Sequence, residues 1–235
     1  MGSPARFPGG VTTVRATNPL GEYGLPDPTK WHTYFEDFDT FTAGDWTIDT
    51  TEGGNGSATE ALTDADGGVL LVTNDDADND ADHFQKVGEG FLMADGKKAV
   101  FKVRFKTSNA TQTDLQFGLV ITDTTPLDAT DGIYFLKADD AATFVLICRK
   151  NATTGSATTA ALASLSDDTW HTLAWAYDGK AEIKAFLDDV HVGSLAVSDS
   201  YLPDTELTVS FCIVNGSAGA KTLSVDYLFA AAQRA

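Results

Sequence analysis

Two cysteines in 235 residues are too few for a disulfide framework. Both lie inside apolar, strand-like runs, Cys148 in TFVLICRK and Cys212 in VSFCIVN. Buried thiols are therefore expected, with one bridge between sheets as the alternative. No apolar run approaches the length of a membrane span. The leading MGSPARFPGG lacks the hydrophobic stretch of a secretory signal, and Arg6 stands where a myristoylation site needs Ser or Thr. Synthesis in a cytoplasm is the expectation, and the sequons at Asn55, Asn109, Asn151 and Asn215 read as turns.

Positive charge is scarce as well. Sixteen Lys and Arg face 34 Asp and Glu, a net charge of −18, which repels phosphate backbones and anionic membranes and excludes nucleic acid as a partner. There is no nucleophile elbow, phosphate loop or dinucleotide fingerprint. His32, His83, His171 and His191 are scattered without metal-ligand spacing, and neither cysteine has a nearby histidine to activate it. No cofactor and no metal are expected.

What the sequence has in quantity is short alternating runs. In AVFKVRFKT, Phe101, Val103 and Phe105 alternate with Lys102, Arg104 and Lys106, which gives one apolar and one basic face. DWTIDT, GGVLLVTND, DHFQKVG, LQFGLVITD, GIYFLKA, LTVSFCIVN and LSVDYLFAA continue the series. Asp139–Asp140, Asp178-Gly179 and Asp188-Asp189 mark reversals between them. Roughly a dozen strands with a turn about every ten residues predict an all-β, two-sheet antiparallel sandwich.

Residues 1–33 differ from this body, predicted to span 34–235. Five of the seven prolines fall there (Pro4, Pro8, Pro19, Pro26, Pro28), and the first twenty residues carry Arg6 and Arg15 but no acid. Such a segment predicts an extended arm that orders against a neighbouring subunit or a larger assembly, with the sandwich's own surface as the alternative.

The stretch Trp170-His171-Thr172-Leu173, with Tyr177-Asp178-Gly179 after it and Asp226-Tyr227 in the last strand, resembles the closing hairpins of concanavalin A-like and laminin-G-like jelly-roll domains. Asp188-Asp189 stands where a glycine is common in those turns. The arm pieces Phe7 to Thr13, Asn18 to Gly21 and Leu25 to His32, leading into such a body, resemble tailed-bacteriophage capsid decoration (cement) proteins. That resemblance implies a virion structural protein on the capsid surface. Its partners would be the major capsid protein and further copies of itself, a trimer being one arrangement.

Glycoside hydrolases share this fold class, and jelly-roll glucanases usually set their acids on one strand as Glu-x-Asp-x-x-Glu. No such motif occurs. Glu36-Asp37-Phe38-Asp39 comes nearest, with Asp37 and Asp39 on one face, but no third acid follows in place. The expectation is that the chain is not an enzyme. Asp78, Asp80, Asp82 and Glu89 sit at EF-hand offsets, yet His83 occupies the obligatory glycine position. The acidic run reads as a charged loop or protected edge, a looser calcium site at a sandwich edge being the alternative.

Adhesion fits better. Phe7, Leu20, Tyr23 and Trp31 are expected to anchor the arm in a partner, Arg6 and Arg15 to find carboxylates, and Lys102, Arg104 and Lys106 to face an acidic neighbour. The alternative for that basic cluster is pairing with an acidic strand of its own chain. The alternative function is a carbohydrate-binding, lectin-like module of a phage tail or adhesin, using Trp46, Tyr134, Trp175 or Tyr201 against surface glycans.

Overall fold

The computed structural model describes residues 29–54, 56–65, 67–125, 127–152 and 157–234. The first eight strands are β1 (Trp31–Glu36), β2 (Trp46–Thr51), β3 (Thr59–Thr63), β4 (Val69–Thr73), β5 (Ala81–Lys86), β6 (Phe91–Leu92), β7 (Ala99–Thr107) and β8 (Thr113–Val120). The rest are β9 (Gly132–Lys137), β10 (Val145–Arg149), β11 (Ala157–Thr158), β12 (His171–Tyr177), β13 (Glu182–Leu187), β14 (Val190–Ala196), β15 (Glu206–Asn215) and β16 (Thr222–Gln233). The one helical element among the described residues is a single 3₁₀ turn at Ala43–Asp45.

The strands form two antiparallel sheets. Sheet I runs β14-β13-β12-β7-β16-β4-β3, with β1 also on β16; sheet II runs β11-β10-β9-β8-β15-β5-β2, with β6 on β15. β16 lies in the middle of sheet I, paired to β7 on one side and to β4 and β1 on the other. A bulge at Asp226 shifts its register against β7 between Val225 and Tyr227.

Alternation decides what enters the core. Phe101, Val103 and Phe105 of β7 point inward and are fully buried, and Leu173, Trp175 and Tyr177 do the same from β12. From sheet II come Phe84, Phe117, Phe135 and Phe211. The Phe105 and Phe117 rings meet with centroids 4.4 Å apart, and Phe84 stacks on Phe211 at 4.5 Å.

The turns explain their residues. Asp188 and Asp189 both take left-handed φ, 49° and 62°, as a tight hairpin between β13 and β14 requires. Asp188 does what glycine could not: its carboxylate accepts from the Thr172 amide at 2.8 Å and lies 3.0 Å from His171 Nδ1. The first strand ends at Glu36, and Phe38 is left-handed (φ 49°) and buried, so the expected shared strand face of Asp37 and Asp39 does not form. Both cysteines are free thiols in sheet II; Cys148 faces the core and Cys212 the opposite side, so no bridge joins them.

Candidate functional site

The outer face of sheet II is closed. Register sets His83 of β5 beside Cys212 and Gln116, and Gln85 beside Ser210, Gly118 and Tyr134. These polar side chains point away from the core, yet His83, Gln85, Gln116, Ser210 and Tyr134 are at most 1% exposed. The cover is the connection between β8 and β9, residues 121–131, of which Pro126 lies outside the described residues. This strap reaches across β5, β15, β8, β9 and β10. Asp123 exchanges two hydrogen bonds with the Gln85 side-chain amide, and the Leu127 amide donates to Gln116 Oε1 at 3.0 Å. Leu127 packs on Ala81, Cys212 and Val214, Ala129 joins Tyr134 and Ile147, and Arg149 holds Asp128 at 2.6 Å.

The closure leaves polar atoms short of partners. His83 Nδ1, Gln116 Nε2 and the Tyr134 hydroxyl are buried without a hydrogen bond. Burial pushes the His83 pKa down from 6.5 to about 4, against the pull of Asp49 and Asp123, and raises Tyr134 to about 12. His83 Nε2 lies 2.8 Å from Ser210 Oγ, but Asp49 accepts from Gln85 Nε2 rather than orienting the imidazole. A serine–histidine pair is present without the third group that makes it a relay.

Among the described residues, no segment covers the outer face of sheet I. Here Lys102, Arg104 and Lys106 project as expected, but within their own chain Lys102 pairs with Asp189 at 2.7 Å and Arg104 with Asp226. The Arg104 guanidinium also lies 4.5 Å over the Trp170 ring, with Lys106 Nζ 5.5 Å from the same ring. Tyr227 neighbours Arg104 across strands, and Phe35, 58% exposed, tilts against Tyr227 at 6.3 Å. Two rungs run across this face, Phe35–Phe229–Lys102–Ala174–Phe186 and Thr33–Ala231–Val100–Ala176–Lys184. The alanines make a low floor between larger side chains. At one end a groove of about 320 Å³ is lined by Trp31, Lys98, Tyr177, Asp178 and Lys184, among others.

A third feature is acidic. Glu52, Asp75, Asp80 and Asp82 gather at one end of the gap between the sheets, and burial together with Glu60, Glu52 and Asp80 raises the Asp82 pKa to about 6 although Thr50 donates to it.

Of the residues expected to bind a partner, Arg6, Phe7, Arg15, Leu20 and Tyr23 lie outside the described residues. Trp31 stands on β1, and Lys102, Arg104 and Lys106 share β7. The aromatics expected for a glycan are corrected: Trp46, Tyr134 and Trp175 are at most 5% exposed, and Tyr201 packs against the core. Phe35, Trp170 and Tyr227 stand on the open face together with Trp31, Phe186 and Phe229. Alternation in LSVDYLF groups Tyr227 and Phe229 with the core residues Leu223 and Val225; the bulge at Asp226, which has no sequence mark, turns them to the outer face instead and sets Asp226 against Arg104.

No protein-family model and no curated protein matches the sequence. Solved structures do match. An endo-1,3-beta-glucanase from Streptomyces sioyaensis aligns over 89% of this chain and 99% of its own, at 14% identity and a TM-score of 0.62. A family 16 glycoside hydrolase from Bacteroides ovatus, solved with a glucan product, covers 84% and 99% at 14% identity and 0.62. The Emp47p carbohydrate recognition domain covers 88% and 98% at 13% identity and 0.56. The fold is thus the concanavalin A-like jelly roll. The expectation that the chain is not an enzyme is overturned by the same finding. Its neighbours include endo-glucanases, so the scaffold is one on which glycosidic bonds are cleaved, and the lack of one linear acid motif does not carry the exclusion.

Proposed function

We propose that this concanavalin A-like jelly roll is a lectin-like module that engages carbohydrate across the open outer face of sheet I. The row Phe35, Tyr227, Arg104 and Trp170 carries the reading. Sugars present apolar ring faces edged by hydroxyls. Exposed aromatic rings suit the first, and an ion pair already fixed by its own chain suits the second without a new ordering cost. Ala174 of the first rung and Ala176 and Ala231 of the second leave a linear glycan room to lie flat, ending in the groove beside Trp31. The strap closes the opposite face. Similarity of fold to glucan-cleaving and carbohydrate-recognising structures makes β-glucan oligosaccharides the first probes.

Titration calorimetry with laminari- and mixed-linkage oligosaccharides tests this, with reducing ends measured in the same samples so that cleavage is seen if it occurs. Trp170→Ala and Tyr227→Ala should each weaken binding about tenfold, at about 1–2 kcal/mol per lost aromatic contact. A wild-type protein that binds no glycan at millimolar concentration removes the proposal.

A second reading, decoration of a virion capsid, is supported by the arm's composition: proline-rich, carrying Arg6 and Arg15, on a body that brings the net charge to −18. Deleting residues 1–28 should leave a folded body that no longer joins particles. Undiminished occupancy would end it.

A further inference from the structure

The acidic end of the sandwich has the makings of an ion site. Thr50 of β2 and Asp82 of β5 are register partners, so the chain running on from β2 brings Glu52 beside Asp80. The Gly53 amide, donating to Asp80 Oδ1 at 2.6 Å, fixes that approach. Asp80, just before β5, and Asp82 within it are two apart, and Asp82 pairs with the core residue Ile213 on the side that looks between the sheets. Glu60 of the edge strand β3 is exposed but shares the face of its register partner, the core residue Val72, and its charge acts on Asp82. Asp75 enters from the connection between β4 and β5. One carboxylate oxygen from each of Glu52, Asp75 and Asp80 lies within 4.8 Å of the other two.

Two observations separate this cluster from an ordinary charged edge. Among the described residues, no Lys or Arg forms an ion pair with any of these five acids. And two of their oxygens are buried without a donor: Glu52 Oε2, and Oδ2 of Asp82, a side chain with no exposed surface. Backbone amides satisfy other oxygens, Ala58 on Glu52 Oε1 and Ala77 on Asp80 Oδ2, so the unmatched ones remain turned inward. Buried like charges without compensation are costly, and a cation removes the cost.

We propose that Glu52, Asp75 and Asp80 bind a divalent cation, calcium in preference to magnesium, with Asp82 as the buried carboxylate behind them. The donors are all oxygen, which selects hard cations over zinc or copper. Two oxygens on a common calcium ion, each about 2.4 Å from it, stand at most about 4.8 Å apart, and the three here lie within that limit. Magnesium demands near-octahedral geometry at shorter distances, which acids drawn from two loops and a strand end do not offer. The ion ties the connection after β2 to the one between β4 and β5, closing an end of the sandwich that the core leaves open.

The test uses the full chain, stripped with a chelator and titrated with CaCl2, MgCl2 or NaCl at matched ionic strength, and followed by calorimetry and thermal unfolding. Saturable binding of one calcium per chain is expected, with a rise in Tm that magnesium reproduces only at tenfold or higher concentration. Glu52→Gln and Asp75→Asn, which keep size and leave the Asp80 amide bonds intact, should each weaken calcium binding at least tenfold while the metal-free Tm holds or rises. An equal response to sodium, or an unchanged calcium response in both variants, overturns the site.

Discussion

Lowering the pH tests whether the strap over sheet II excludes water, and His83→Gln isolates the group that reports it. His83 is 1% exposed, and its pKa falls from 6.5 to about 4 because burial disfavours the imidazolium. The unfolded chain takes up that proton near 6.5, the folded chain only near 4. The stability permitted by neutral His83 is therefore intact above pH 6.5 and drains as pH falls toward 4. With about 1.36 kcal/mol for each pH unit between the two values, the loss reaches about 2 kcal/mol at pH 5 and about 3 kcal/mol at pH 4. Asp82, whose folded pKa is raised to about 6, works in the opposite sense, since its burial cost is relieved as pH drops. The wild-type curve is thus a composite, and the difference from His83→Gln cancels the shared part. Glutamine keeps a side-chain amide that reaches Ser210 but has nothing to titrate. Urea unfolding followed by tryptophan fluorescence from about pH 7.5 to 5 should show the wild type losing about 2 kcal/mol relative to the variant. A difference constant within about 0.5 kcal/mol would mean that His83 is solvated and that the strap does not seal the face.

Tyr134→Phe removes a buried hydroxyl that has no partner, so chemical denaturation should show no loss and up to about 1 kcal/mol of gain; a loss beyond about 1 kcal/mol would reveal a bonded hydroxyl. Gly118→Ala would set a Cβ 2.4 Å from the Ile133 carbonyl oxygen and 2.6 Å from Tyr134 Cα, both backbone, and should cost more than about 2 kcal/mol or prevent soluble expression. Asp188→Ala forfeits the acceptor for the Thr172 amide at a left-handed turn position and should lower stability by about 1–2 kcal/mol, Asp188→Asn by less. A double-mutant cycle on Arg104 and Asp226 should give a coupling near 1 kcal/mol that shrinks in salt, because the arginine remains partly exposed.

Strand alternation made the sandwich legible wherever one face met water. β7 and β12 follow the period of two along their length, and the reversals at Asp178-Gly179 and Asp188-Asp189 fall where their residues indicate. Sheet II was harder. Gln85, His83, Gln116 and Ser210 alternate with core residues as solvent-facing side chains do, but a strap from elsewhere in the chain buries them. β8 and β15 are consequently buried on both faces over most of their length. LQFGLVITD reads as a single strand, yet β8 stops at Val120 and Ile121 begins the strap. The same limit hid the acidic end: the run at 73–82 is visible as a charged loop, whereas Glu52 and Glu60 reach it only through strand pairing.

The place of β16 in sheet I has a consequence for biosynthesis. Its neighbours β1, β4 and β7 leave the ribosome long before residues 222–233 exist. At about 5–20 residues per second, the gap from the end of β7 lasts on the order of ten seconds. During that interval three strands wait with raw edges and no template between them, while Phe101, Phe105 and Leu70 face water. A chain with a net charge of −18 repels its own copies, which opposes edge-to-edge pairing between neighbours until the last strand fills its slot.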